Sequence, residues 1–102
     1  MVMLRLLARV PAENRQEFVD SLKTLSATIE AGECRKLILE DVTDDTLFCW
    51  MGDWAAEEEL ESFMKSDTFR ALRGAAQVLG TLEDVQVVEV RPCSPGKRFE
   101  NE

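Results

Sequence analysis

Histidine, the commonest general base, proton shuttle and metal ligand, is absent from this 102-residue chain. Whatever chemistry the chain performs must come from other side chains. Cys34, Cys49 and Cys93 supply thiols, but no C-x-x-C spacing occurs. Three thiols without histidine fall short of the four ligands of a structural zinc site, so no metal is expected. They read as buried or spectator thiols in a reducing cytoplasm. Glu57, Glu58, Glu59 and Glu61 offer carboxylates. Neighbours this close fan around a helix instead of converging, so they read as a solvated face that favours the helix N-terminus. No Ser-His-Asp set, phosphate loop or dinucleotide fingerprint is present. What remains is aromatic and cationic: Trp50, Trp54, five phenylalanines, and Arg73 with its permanently charged guanidinium.

Composition narrows the partners. Twenty Asp and Glu against 12 Lys and Arg give a formal charge of −8, which repels phosphate and argues against nucleic acid. Apolar residues make up 45% of the chain, enough for a globular domain with its own core. No apolar run approaches the roughly 18 residues of a membrane span. The opening stretch is interrupted by Arg5 and Arg9, so a secretory signal is not expected and a cytoplasmic protein is.

The elements that must position these residues follow from periodicity. Residues 2–10 alternate as a strand, with Val2, Leu4, Leu6, Ala8 and Val10 on one face and Met3, Arg5, Leu7 and Arg9 on the other. Arg5 and Arg9 either pair with Glu40 or Glu89 within the barrel or lie at its solvent mouth; a buried arginine needs a partner, so pairing is the expected role. Pro11 opens a helix whose stripe is Phe18, Leu22, Leu25 and Ile29, with Gly32 as its stop. Residues 34–42 and 46–53 read as two strands around a two-residue turn at Asp44-Asp45. That turn predicts cross-strand partners whose numbers sum to 89, so that Trp50 faces Leu39 and Cys49 faces Glu40. A second helical region over 55–79 breaks at Ser66 or Asp67, with Leu60, Phe63 and Met64 before the break. Phe69, Leu72, Ala76 and Leu79 follow it, and Gly80 ends the helix. Residues 84–91 form a last strand. The predicted domain is 1–91, with a loose tail over 92–102 that carries two prolines.

The order β-α-β-β-α-β predicts an α+β, ferredoxin-like fold with a four-stranded antiparallel sheet and its helices on one face. The hairpin carries Leu37, Leu39, Phe48 and Trp50 on one predicted face, and Ile38, Val42, Leu47, Cys49 and Met51 on the other. Helices cover only one face, so the expectation is a homodimer that covers the other, packed sheet to sheet as a dimeric α+β barrel.

The segment from Phe48 to Leu72 runs FCWMGDWAAEEELESFMKSDTFRAL. A strand ending in Trp54 is followed by an acidic helix start, Leu60, Ser66 and Phe69. This resembles the antibiotic biosynthesis monooxygenase family, as does the Gly32-Glu33-Cys34 step into the second strand. The resemblance implies a sheet-to-sheet dimer with a largely apolar pocket between sheet and helices in each subunit. It also implies oxidation of quinols or anthrones by O2 without metal, flavin or other cofactor. A related branch degrades haem through a histidine that corresponds to Arg73 here, so that route is not expected. Histidines common near Phe63 and Thr68 in the family are absent as well. By this resemblance Trp54 and Arg73 are the candidate catalytic residues. Trp54 would stack on a flat substrate and Arg73 would stabilise a phenolate or enolate. Trp50, Phe48, Phe63 and Phe69 are the candidate substrate contacts. Each also has a structural reading, as packing for the aromatics and as a flank ion pair for Arg73. A dimer of the same fold that only binds a small apolar ligand is the alternative.

Overall fold

A computed structural model describes residues 1–29 and 35–89. Strand β1 (Val2–Arg9) leads through a 3-10 turn at Ala12–Asn14 into helix α1 (Arg15–Ala27). Strands β2 (Arg35–Glu40) and β3 (Leu47–Trp54) follow, then helices α2 (Glu57–Met64) and α3 (Asp67–Leu79), and strand β4 (Thr81–Glu89). The four strands form one antiparallel sheet in the order β2-β3-β1-β4. The α+β ferredoxin-like architecture expected from the sequence is therefore present. Gly32, Cys34, Cys93 and the tail over 92–102 lie outside the described residues. Among the described residues, no helix is long and apolar enough to cross a membrane.

The alternation read in β1 holds: Val2, Leu4, Leu6 and Ala8 are buried, and Met3, Arg5 and Leu7 are half-buried on the opposite face. The core joins them to Phe18, Leu22 and Ile29 of the first helical stripe. Phe48, Trp50 and Trp54 of β3, and Leu60, Phe63, Phe69, Leu72 and Ala76 of the second helical region, complete it. Ser66 is the N-cap of α3, accepting from the Phe69 amide at 3.2 Å. The helical region breaks where its sequence provides a new cap.

The hairpin register corrects one expectation. Ile38, not Leu39, pairs with Trp50, and Glu40 pairs with Phe48 instead of Cys49. Partner numbers sum to 88. The connection is not a two-residue turn but a loop over 41–46, closed by the Asp41 amide donating to the Leu47 carbonyl at 3.0 Å. Within it, Asp41 Oδ1 accepts from the amides of Thr43 and Asp44 and from the Thr43 hydroxyl. Asp44 accepts from the Thr46 amide and hydroxyl. The Thr46 hydroxyl first, then the Arg9 guanidinium, hold the Asp44 carboxyl down at about 2. A one-residue slip sends every β2 side chain to the other face. Leu37 and Leu39 therefore join Cys49 and Met51 on the helix-free face, while Lys36 and Ile38 turn toward the helices. Val42 belongs to the loop and is exposed.

Two other expectations are corrected. Arg9 pairs with Asp44, and at 3.8 Å with Glu83, while Glu40 is taken by Arg15 of α1. Arg5 donates to Gln86 at 3.3 Å. The last strand starts at Thr81, three residues before the expected start, because it continues from Gly80 directly into pairing with Arg9.

Candidate functional site

Trp50, Gly52 and Trp54 share the helix-facing side of β3. A Cβ at Gly52 would lie 2.9 Å from the Trp50 ring and 3.0 Å from that of Trp54. Glycine is thus the space into which both indoles lean. Phe63 of α2 closes the group. Its ring stacks on Trp50 at 5.8 Å and 13°, meets Trp54 at 4.8 Å, and touches Phe69 at 5.7 Å. These offset contacts favour a fixed arrangement. The Trp50 indole N–H donates to the Ser26 hydroxyl at 2.8 Å. Lys36 donates to the Ser26 carbonyl in the last turn of α1 at 3.1 Å and to the Ile29 carbonyl just beyond the helix at 2.7 Å, as a cation at a helix C-terminus should. The end of α1 is thereby tied to both strands of the hairpin, β2 and β3.

Beside Trp54 and Phe63 opens a cleft of about 420 Å³. Its remaining walls are Thr28, Ile29, Ser62, Ser66, Thr68 and Glu59. The Thr28 and Thr68 hydroxyls are 3.2 Å apart, bridging the end of α1 to the start of α3. Glu59 accepts from the Ala56 amide at 3.1 Å, which closes the first turn of α2. Among the described residues, the cleft combines an aromatic floor with a ring of hydroxyls and the Glu59 carboxylate. Such a lining suits a flat ligand that carries polar substituents.

The candidate residues divide across the molecule. Trp54 and Phe63 line this cleft. Trp50 and Phe48 are fully packed, Phe48 edge-on to Phe18 at 5.4 Å and beneath the Arg15 guanidinium at 5.7 Å. Arg73 does not face the Trp54 cleft. It sits over the Phe69 ring at 5.8 Å and lines a separate hollow of about 180 Å³ with Lys65, Arg70 and Gln77. The structure therefore does not bring Trp54 and Arg73 together. Glu59 is the group that sequence reasoning passed over. Its run of four acids looked like one solvated face, and only the turn from β3 into α2 shows that one of them borders the tryptophan. A furrow of about 830 Å³ between α1 and α3 has no aromatic wall among the described residues and contains none of the candidate residues. Among the described residues no cluster of His, Cys, Asp or Glu is arranged to hold a metal ion.

Comparison with known structures agrees with this architecture. A conserved protein from Methanosarcina mazei superposes with a TM-score of 0.76 at 17% identity, over 88% of this chain and 92% of that one. A structure described as antibiotic biosynthesis monooxygenase gives 0.71 at 17%, over 90% and 100%. A candidate member of that family from Deinococcus radiodurans gives 0.75 at 15%, over 92% and 96%. At these identities the likeness speaks for the fold. No match is found among curated proteins. The sequence model of one family, antibiotic biosynthesis monooxygenase, matches residues 1–75. With three quarters of its length matched, and with the tryptophan-to-phenylalanine segment inside that span, this chain belongs to the antibiotic biosynthesis monooxygenase family.

Proposed function

We propose that the protein oxidises a small hydroxylated aromatic, of the quinol or anthrone type, with O2 and without a bound cofactor. The observation that carries this reading is the cleft beside Trp54 and Phe63, which joins an aromatic floor to a hydroxyl rim. In such chemistry the substrate supplies the electrons. It must first lose a proton to become an anion able to reduce O2, and a partly dry pocket holds that anion. Trp54 would stack on the ring, and the hydroxyls would orient its oxygens. Arg73, facing its own hollow, has no part in the step as proposed. Oxygen consumption with a panel of anthrones and hydroquinones tests the reading. Rates above the uncatalysed ones are expected, and equality across the panel would discard it. The absence of histidine favours a second reading, a binding protein of the same fold. It would show ligand-dependent quenching of tryptophan fluorescence with no oxygen uptake.

The working unit under this proposal is a homodimer in the cytoplasm. The helix-free face of the sheet carries Leu37, Leu39 and Val88, 48%, 45% and 37% exposed, around half-buried Met3, Leu7, Leu47, Cys49 and Met51. A second copy related by a two-fold axis covers such a face with its own. Light scattering at micromolar concentration is expected to give about twice 11.6 kDa. Met51→Glu places a charge in the centre of the covered face and is expected to yield a monomer. A wild-type monomer would refute the proposal.

A further inference from the structure

We propose that Glu59 is the general base of the Trp54 cleft, an inference that rests on the reading of that cleft as the site of an oxidisable aromatic. The oxidation begins with proton loss, and the chain has no histidine to accept the proton. Among the described residues that line the cleft, Glu59 is the single ionisable side chain, the others being aromatic, aliphatic or hydroxylic. Its position is set by the fold. It stands on the first turn of α2, five residues after Trp54, and the Ala56 amide holds its Oε1 at 3.1 Å. That bond orients the carboxylate and leaves Oε2 for the substrate. Ser62 lies one helical turn further on the same side of α2 and also lines the cleft. Its hydroxyl would donate to an oxygen that gains negative charge. A carboxylate with such a donor in the same cleft is a sufficient pair for removing a proton from carbon whose anion is conjugated with a carbonyl.

For an anthrone the steps balance as follows. The methylene C–H bond breaks, its proton passes to Glu59 Oε2, and its electron pair remains on the ring system as an enolate. The enolate carbon bonds to O2, and the peroxide anion takes the proton back from Glu59. Glu59 then removes the second proton from the same carbon, the carbonyl forms, and the O–O bond breaks. The departing hydroxide takes that proton and leaves as water. In sum, a methylene and O2 become a carbonyl and water, with the four electrons drawn from the substrate.

The test separates proton removal from oxygen chemistry. Exchange of the anthrone methylene hydrogens with D2O, followed by NMR without oxygen, should be faster with the wild-type protein than in buffer. Glu59→Gln keeps an oxygen acceptor for the Ala56 amide, so the helix start is retained, which circular dichroism checks. That variant should slow exchange by about 100-fold or more, while quenching of tryptophan fluorescence by anthraquinone stays within about twofold. Added acetate should restore part of the exchange in Glu59→Ala. Exchange in Glu59→Gln within about threefold of wild type, or none above buffer in the wild type, overturns the assignment. Oxygen uptake that survives in Glu59→Gln discards the base and keeps the oxygenase reading. Wild-type exchange without oxygen uptake keeps the base and discards the oxygenase.

Discussion

Gly80→Ala is expected to destabilise the protein by about 3 kcal/mol, a loss of roughly 10–20 °C in Tm for a domain of this size. A Cβ at Gly80 would lie 2.2 Å from the Arg9 carbonyl oxygen and 3.0 Å from Val10 Cα and Cγ2. The obstacle is main chain, and it has nowhere to retreat. Arg9 is paired with Leu47 on one side and Thr81 on the other, and the Val10 amide donates to the Thr46 carbonyl at 2.7 Å. The same change at Gly74, in the interior of α3, meets no atom within 4 Å. There alanine should stabilise by up to about 1 kcal/mol through helix propensity. Urea denaturation of the two variants gives opposite signs if close packing at the α3–β4 corner governs the first. Equal small effects would refute it.

Phe63→Ala is expected to cost about 3–5 kcal/mol. The ring is 7% exposed and contacts Trp50, Trp54 and Phe69 at once. Its removal leaves a cavity that three large rings cannot fill without leaving their rotamers. Phe63→Leu keeps most of the volume and should cost less than about 2 kcal/mol. Chemical denaturation measures both, and the alanine variant should also shift tryptophan emission to the red as water reaches Trp54. A cost below about 1.5 kcal/mol for alanine would mean that the cluster can collapse around the gap. Because Phe63 is also a wall of the cleft, the same variant should weaken aromatic ligands, whereas Gly80→Ala should not.

The parts of this fold that were legible in the sequence are those governed by local chemistry. The alternation of Val2 to Val10, the stripe from Phe18 to Ile29 and the cap at Ser66 each depend on neighbours a few residues away. The hairpin register was not legible. It depends on how Asp41 and Asp44 spend their carboxylates, and Asp44-Asp45 alone suggests a shorter turn than the side-chain hydrogen bonds of Thr43 and Thr46 permit. The slip strengthened the case for a covered sheet face, since Leu37 and Leu39 moved onto it. At the candidate site, Trp54 could be singled out because a motif surrounds it. Arg73 could not be placed, because which side of α3 it occupies relative to the cleft is set by the packing of α2 against α3. Glu59 was hidden by its neighbours Glu57, Glu58 and Glu61. Composition shows an acidic run, and only the three-dimensional path shows which acid borders an aromatic surface.

The sheet order has a consequence for how the chain is made. β1, the first strand, lies between β3 and β4 and bonds to both. On the ribosome it can pair with β3 once Trp54 has emerged, but its other edge waits for the strand that ends at Glu89. Those 35 further residues take about 2–7 s at ordinary synthesis rates. Throughout that interval Leu4 and Leu6 lack the cover of Val85 and Val87, and a row of amides and carbonyls stands open to any other strand. The nascent chain is therefore most exposed to mispairing late in translation, and slow codons between 55 and 89 would lengthen the hazard.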